Sequence, residues 1–158
     1  MSRKAAKLLA WGQEELKKSG IVEWDYDSRE LLSFGCQVSK IDLILNPEVS
    51  VSDEKAEKYK GLIERRALRE PLQYLIGEWE FMGLPFLVNT SVLIPRQDTE
   101  TLIEYILERE TETVRESCEA LDVCTGSGCI AVSLAVLGHF HMDAVDISKE
   151  ALLVASQN

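Results

Sequence analysis

Residues 120–135 read ALDVCTGSGCIAVSLA, and the reading of this stretch decides the fold. Apolar residues around one acid, Asp122, run into the small-residue turn Cys124-Thr125-Gly126-Ser127-Gly128, after which apolar positions resume at helical density. That order predicts a buried strand over 120–124, a turn over 125–128 and a helix over 129–137. A second strand over 140–146 and a further helix capped by Ser148 continue the alternation, which is typical of α/β folds, and the chain stops at Asn158, inside that last helix. A strand entering a glycine turn and a helix aims backbone N–H groups at whatever lies over the helix N-terminus, and glycine lets a ligand approach the main chain. Gly126-x-Gly128-x-x-Ala131 fits a loose dinucleotide fingerprint, and Asp146, 18 residues after Gly128, ends the next strand where a carboxylate can accept from ribose hydroxyls. The spacing leaves two nucleoside ligands open, NAD and S-adenosylmethionine, beside a purely structural turn. Asp122 favours the methyl donor: an acid just before the turn repels a pyrophosphate but can face the ammonium end of a methionine moiety.

Upstream, the first seventy or so residues read as helices. Ala5, Leu8, Leu9 and Leu16 fall near helical spacing, with Gly20 at the C-terminal cap. Asp27 and Glu30 have capping-box spacing before Leu31, Leu32 and Phe34, and Gly35 closes that short helix. Ser39 caps another through Leu45, stopped by Asn46-Pro47. Ser52 or Asp53 opens a longer helix whose buried stripe is Ala56, Tyr59, Leu62, Ile63 and Ala67, limited by Pro71. The pattern then changes. EWEFMGLPFLV, residues 78–88, reads as a β-hairpin with Pro85 on an edge, followed by a short strand over 92–94. Asp98 can cap a helix carrying Leu102, Ile103, Ile106 and Leu107, and the polar stretch 111–117 reads as a surface loop.

Composition narrows the class. Apolar residues make up 46% of the 158, enough for a real core, and the formal charge is -10. A surface that negative argues against direct binding to nucleic acid or anionic lipid, both of which need a positive footprint. No run of 18 apolar residues predicts a membrane span, and Met1-Ser-Arg-Lys-Ala lacks a signal core, which points to the cytoplasm. Cys36, Cys118, Cys124 and Cys129 include no CxxC pair, and His139 and His141 are the only histidines, so no metal site is expected. His139-Phe140-His141 reads as a polar entry to a strand.

Three stretches carry a resemblance: PLQYLIGEWEFMGLPFLVNTSVLIPRQDTETLIE (71–104), LDVCTGSGCIAVSLA (121–135) and DAVDISKEALLVASQN (143–158), with RRALREPLQYLIG (65–77) at the junction. Together they resemble the HemK/PrmC family of release-factor glutamine methyltransferases, and IPRQDTE (94–100) sets that family apart from other methyltransferases with a glycine-rich first turn. The resemblance implies an α+β multidomain chain. A helical substrate-recognition domain would span 1–73, a β-hairpin linker 74–94, and the start of a Rossmann-like S-adenosylmethionine-dependent methyltransferase domain 95–158. It implies transfer of methyl to the side-chain amide nitrogen of the Gly-Gly-Gln glutamine in class I peptide chain release factors. An amide nitrogen is a poor nucleophile, so positioning outweighs base catalysis.

Carried over by resemblance, Cys124, Thr125, Gly126, Ser127 and Gly128 would hold the methionine part of the cofactor. Asp146 would take the ribose hydroxyls and Asp122 would order the turn and the ammonium end. Arg96 would lie at the active-site mouth, unless it pairs with Asp98 or Glu100. Two departures from the family pattern stand out. The family usually has glycine at Cys124; the change costs little at negative φ but strains a left-handed backbone, and the thiol is expected to be a small buried filler. The family's Asn-Pro-Pro-Tyr substrate motif is absent, so the catalytic residues are unknown; Asn46-Pro47-Glu48-Val49 is no substitute. The chain alone is therefore expected to bind the cofactor weakly or not at all, to lack transferase activity, and to self-associate through open strand edges. An NAD-binding Rossmann protein and a non-enzymatic protein-binding helical module are the alternatives.

Overall fold

The computed structural model describes residues 3–110, 114 and 117–158. The chain divides into two compact units, one ending at Ile76 and the other spanning Gly77–Asn158. The expected loop over 111–117 lies for the most part outside the described residues.

The first unit is helical. Helices α1 (Ala5–Lys18), α2 (Trp24–Cys36), α3 (Lys40–Leu45), α4 (Asp53–Ala67) and α5 (Leu72–Ile76) are joined by a two-residue antiparallel pairing of β1 (Arg3–Lys4) with β2 (Ser50–Val51). Leu8, Leu16, Leu31, Leu32, Tyr59 and Ile63 form its core. Gly12 is required here: a Cβ would collide with the Tyr59 ring, so only glycine lets α1 lie this close to α4. Ser39 and Ser52 cap α3 and α4 by accepting from the Asp42 and Lys55 N–H groups.

Two expectations for α2 are corrected. The helix begins at Trp24, so Asp27 is not an N-cap with Glu30 but a buried residue of the first turn. Its side chain, 5% exposed, accepts from Arg66 Nε at 2.7 Å, tying the start of α2 to the end of α4. A charge pair that satisfies both groups outweighs a local cap. Gly35 does not end the helix either; α2 runs through Cys36 to a left-handed Gln37, and Gly35 packs against the Tyr59 backbone.

In the second unit, β3 (Glu78–Phe81) and β4 (Leu84–Leu87) form the expected hairpin, turned by Met82 and Gly83 at φ 53° and 73°. Those angles suit the twist of a tight hairpin. Pro85 faces Glu80, and the bond from Val88 N to Gly77 O sets the alternation so that residue 85 directs its nitrogen away from β3, where no donor is needed. Phe81 and Phe86 meet edge to face and pack with Ile103, Leu134 and Phe140. Helix α6 (Gln97–Arg109), strand β5 (Glu119–Val123), helix α7 (Cys129–Gly138), strand β6 (His141–Val145) and helix α8 (Lys149–Ala155) follow. Strands β5 and β6 pair in parallel through α7, giving a mixed α+β chain.

Four further expectations are corrected. Residues 92–94 form no strand, because the chain folds back on itself through Val92 N to Asn89 O and no ladder partner is present among the described residues. Asp98 is not the cap of α6; the helix starts at Gln97 after Arg96, and Asp98 sits in the first turn, favourable to the helix dipole. Strand β5 is not buried. Its register places Leu121 and Val123 beside Asp143 and Val145, on a face left 59% and 63% exposed at the two β5 residues. Asn158 is not inside α8, which ends at Ala155. Among the described residues no helix is long and apolar enough to cross a membrane, and no group of three or more His, Cys, Asp and Glu could hold a metal ion.

Buried Tyr59 Oη has no hydrogen-bond partner among the described residues, whereas Asp27 pairs with Arg66. Tyr59→Phe is therefore expected to leave stability within about 0.5 kcal/mol of the parent or to raise it, while Asp27→Ala, which strands the Arg66 charge, lowers it by roughly 2–4 kcal/mol. Urea melts followed by Trp fluorescence check both.

Candidate functional site

The turn between β5 and α7 is built by three left-handed residues, Cys124, Gly126 and Gly128, at φ 65°, 58° and 81°. Alternating handedness of this kind turns successive N–H groups toward one side. Thr125 N extends the parallel ladder by donating to Val145 O at 3.0 Å, and Gly128 N closes the turn on Thr125 O at 2.9 Å. The first backbone bond of α7 runs from Val132 N to Gly128 O. The N–H groups of its opening turn therefore have no carbonyl within the helix. Gly128 is demanded twice, by its positive φ and by Ala155 of α8, whose Cβ would stand 3.2 Å from an added Cβ. A Cβ on Gly126 would meet nothing within 4 Å, so the space over that residue is open.

Two carboxylates brace the turn. Asp122 Oδ2 accepts from Thr125 Oγ1 at 2.7 Å. Asp146, just past β6, accepts from Gly126 N through Oδ2 and from Ser148 N through Oδ1, both at 2.9 Å. The Ser148 N–H, followed by that of Gly126, holds the Asp146 carboxyl below the usual carboxylate range. Ser148 in turn caps α8 by accepting from Ala151 N at 3.1 Å. Each Asp146 oxygen keeps a lone-pair site beyond its backbone bond, so the group can still accept from an outside hydroxyl.

The structure thus brings together Asp122, Thr125, Gly126, Ser127, Gly128 and Asp146. Cys124 stands at their edge, and the expectation of a small buried filler there is corrected: the residue is exposed and left-handed. The tight exit from β5 imposes this backbone. Cys129, at the start of α7, is half-buried, and burial pushes its thiol up. Arg96 precedes α6 with its side chain exposed and in no ion pair with Asp98 or Glu100 among the described residues. Glu100 instead accepts from Met82 N at 2.8 Å and so holds the tip of the hairpin. Sequence reasoning missed this contact and also Asn158, whose Nδ2 donates to Ser127 O at 2.8 Å. No local signal marks either, since each partner lies far away along the chain.

Known proteins match this architecture in two pieces. Residues 7–77 match the model of the PrmC N-terminal domain, and residues 99–158 match that of ribosomal protein L11 methyltransferase (PrmA). The release factor glutamine methyltransferase of Geobacter sulfurreducens is 39% identical over 153 residues, covering 96% of this chain and 52% of its own length. That of Thermodesulfovibrio yellowstonii is 40% identical, covering 86% and 50%. That of Koribacter versatilis is 45% identical, covering 81% and 45%. The chain belongs to the HemK/PrmC family, of which it carries the N-terminal portion. It spans about half the length of these relatives.

Two outcomes follow from the geometry. Cys124→Gly removes a left-handed side chain and should raise stability by about 0.5–1 kcal/mol, less whatever the freer unfolded chain takes back, as read by thermal melting. Because folding lowers the Asp146 pKa, its contribution is present above the unfolded value and is lost as pH falls through the folded one. Acid titration should therefore release the Gly126 and Ser148 amides together, below the usual carboxylate range, and Asp146→Asn should weaken at least one of them at neutral pH, both read by amide hydrogen exchange.

Proposed function

We propose that this chain is part of an S-adenosylmethionine-dependent protein-(glutamine-N5) methyltransferase, and that its second unit begins a Rossmann-like cofactor domain. The whole enzyme would methylate the side-chain amide nitrogen of the Gly-Gly-Gln glutamine of class I release factors. The observation that carries this reading is the doubly braced turn: an acid on each side of three left-handed residues, open over Gly126. The names of the relatives support the substrate.

The residues fit the cofactor's chemistry. Asp122 lies where a carboxylate can meet an ammonium group while keeping Thr125 in place. Asp146 offers lone pairs to vicinal hydroxyls. The turn Cys124–Gly128 offers backbone N–H groups to a methionine carboxylate, which the helix N-terminus favours. A carboxylate next to the turn disfavours the pyrophosphate of NAD. When bound, the cofactor supplies an electrophilic methyl group on a sulfonium. The chain's own part is to hold that group still, since a poorly nucleophilic amide depends on alignment. Arg96, exposed ahead of α6, is assigned to the mouth of the site. The helical unit is assigned to release-factor recognition, and the cytoplasm, where release factors act, is the proposed location.

Titration of the 15N-labelled chain with S-adenosylmethionine tests the reading with a readout that registers weak binding. The amides of Gly126, Ser127 and Gly128 are expected to shift, Asp146→Ala to weaken the response at least about tenfold, and NAD to leave them unmoved. Shifts with NAD and none with the methyl donor would transfer the turn to the dehydrogenase class.

A further inference from the structure

The side chain of Asn158 makes three hydrogen bonds to main-chain groups that lie far from it in sequence. Oδ1 accepts from Leu87 N at 2.7 Å, and Nδ2 donates to Leu87 O at 3.2 Å and to Ser127 O at 2.8 Å. The first two form a paired contact with a strand edge. In the β3–β4 ladder, Gly77 and Val88 are hydrogen-bonded to each other, so the next pair, Glu78 and Leu87, directs its N–H and C=O groups outward. The Asn158 carboxamide takes both outward groups of Leu87 and stands in for one residue of a neighbouring strand. Its remaining proton goes to the carbonyl of Ser127, in the middle of the turn braced by Asp146.

Asn158 is itself well anchored. Its backbone N–H donates to Val154 O and Ala155 O, and Ala155 is the residue against which Gly128 is pressed. The far end of the hairpin is tied separately, Met82 N to Glu100 of α6. The hairpin is therefore held at its tip by α6 and at its open end by the cofactor turn.

We propose that Asn158 is a positioning residue that fixes the edge of β4 to the glycine turn, so that the hairpin registers occupancy of the methyl-donor site. This rests on the cofactor reading above. Its consequence is that ligand binding at residues 126–128 is felt at Leu87 through one side chain rather than through the packed core.

Amide exchange and ligand titration on the 15N-labelled chain separate the tie from the cofactor reading. Without ligand, Asn158→Ala should speed exchange at Leu87 about tenfold while leaving Phe81 and Phe86 protected. Asn158→Asp can still accept from Leu87 N but turns a charge toward two carbonyls, so it should keep part of the Leu87 protection and lose the hold on Ser127. With S-adenosylmethionine, Leu87 should shift with the same apparent affinity as Gly126 and Gly128 in the parent. In Asn158→Ala the turn amides should still shift and Leu87 should not, an outcome that a loss of general stability would not produce. Unchanged Leu87 exchange in Asn158→Ala, or a Leu87 response that survives it, overturns the proposal. A parent turn silent to S-adenosylmethionine overturns the coupling in this chain, and the exchange result then shows whether the tie itself exists. Should Asn158→Ala not fold, Asn158→Asp decides by the same two readouts.

Discussion

The second unit depends on one carboxylate. Asp146 leaves β6 and accepts a hydrogen bond from Gly126, in the turn after β5, and another from Ser148, at the start of α8. Parallel strands share no tight turn and are joined through a crossover, here α7, so a side chain that bridges their ends adds to the ladder. Asp146 is that bridge, helped by Thr125 N on Val145 O. Gly126 and Gly128 take their left-handed backbone freely, whereas that of Cys124 is strained and is sustained by the bonds around it. The same bonds hold the turn open on the side where a ligand would lie.

The helical unit is governed by different physics. Its core is ordinary apolar packing, tightened where Gly12 admits the Tyr59 ring. A deeply placed ion pair, Asp27 with Arg66, joins two helices through residues 39 apart in sequence. Cys36 is buried, and burial pushes its thiol up to about 11.

The elements whose causes are local were legible before any coordinates. Ser39, Ser52 and Ser148 cap the helices they precede because a hydroxyl needs only the N–H three residues on. The hairpin around Gly83 was legible for the same reason, as was the strand-turn-helix order of residues 119–138. The misreadings have distant causes. Asp27 has the spacing of a capping box but is claimed by Arg66. Residues 92–94 have strand composition but fold back through Val92 N to Asn89 O. Leu121 and Val123 look like core residues, yet which face of β5 is covered depends on where helices pack.

By itself the sequence determined the helices and their caps, the hairpin, the glycine turn and the two acids beside it, because each follows from spacing within a few residues. Only the tertiary structure decided what those acids hold, that Cys124 is left-handed and exposed, and that Asn158 and Glu100 secure the two ends of one hairpin. The physical reason is range. Propensity and periodicity act over one or two turns of chain, whereas a hydrogen bond from Asn158 to Leu87 spans 71 residues and exists only after the elements between them have packed.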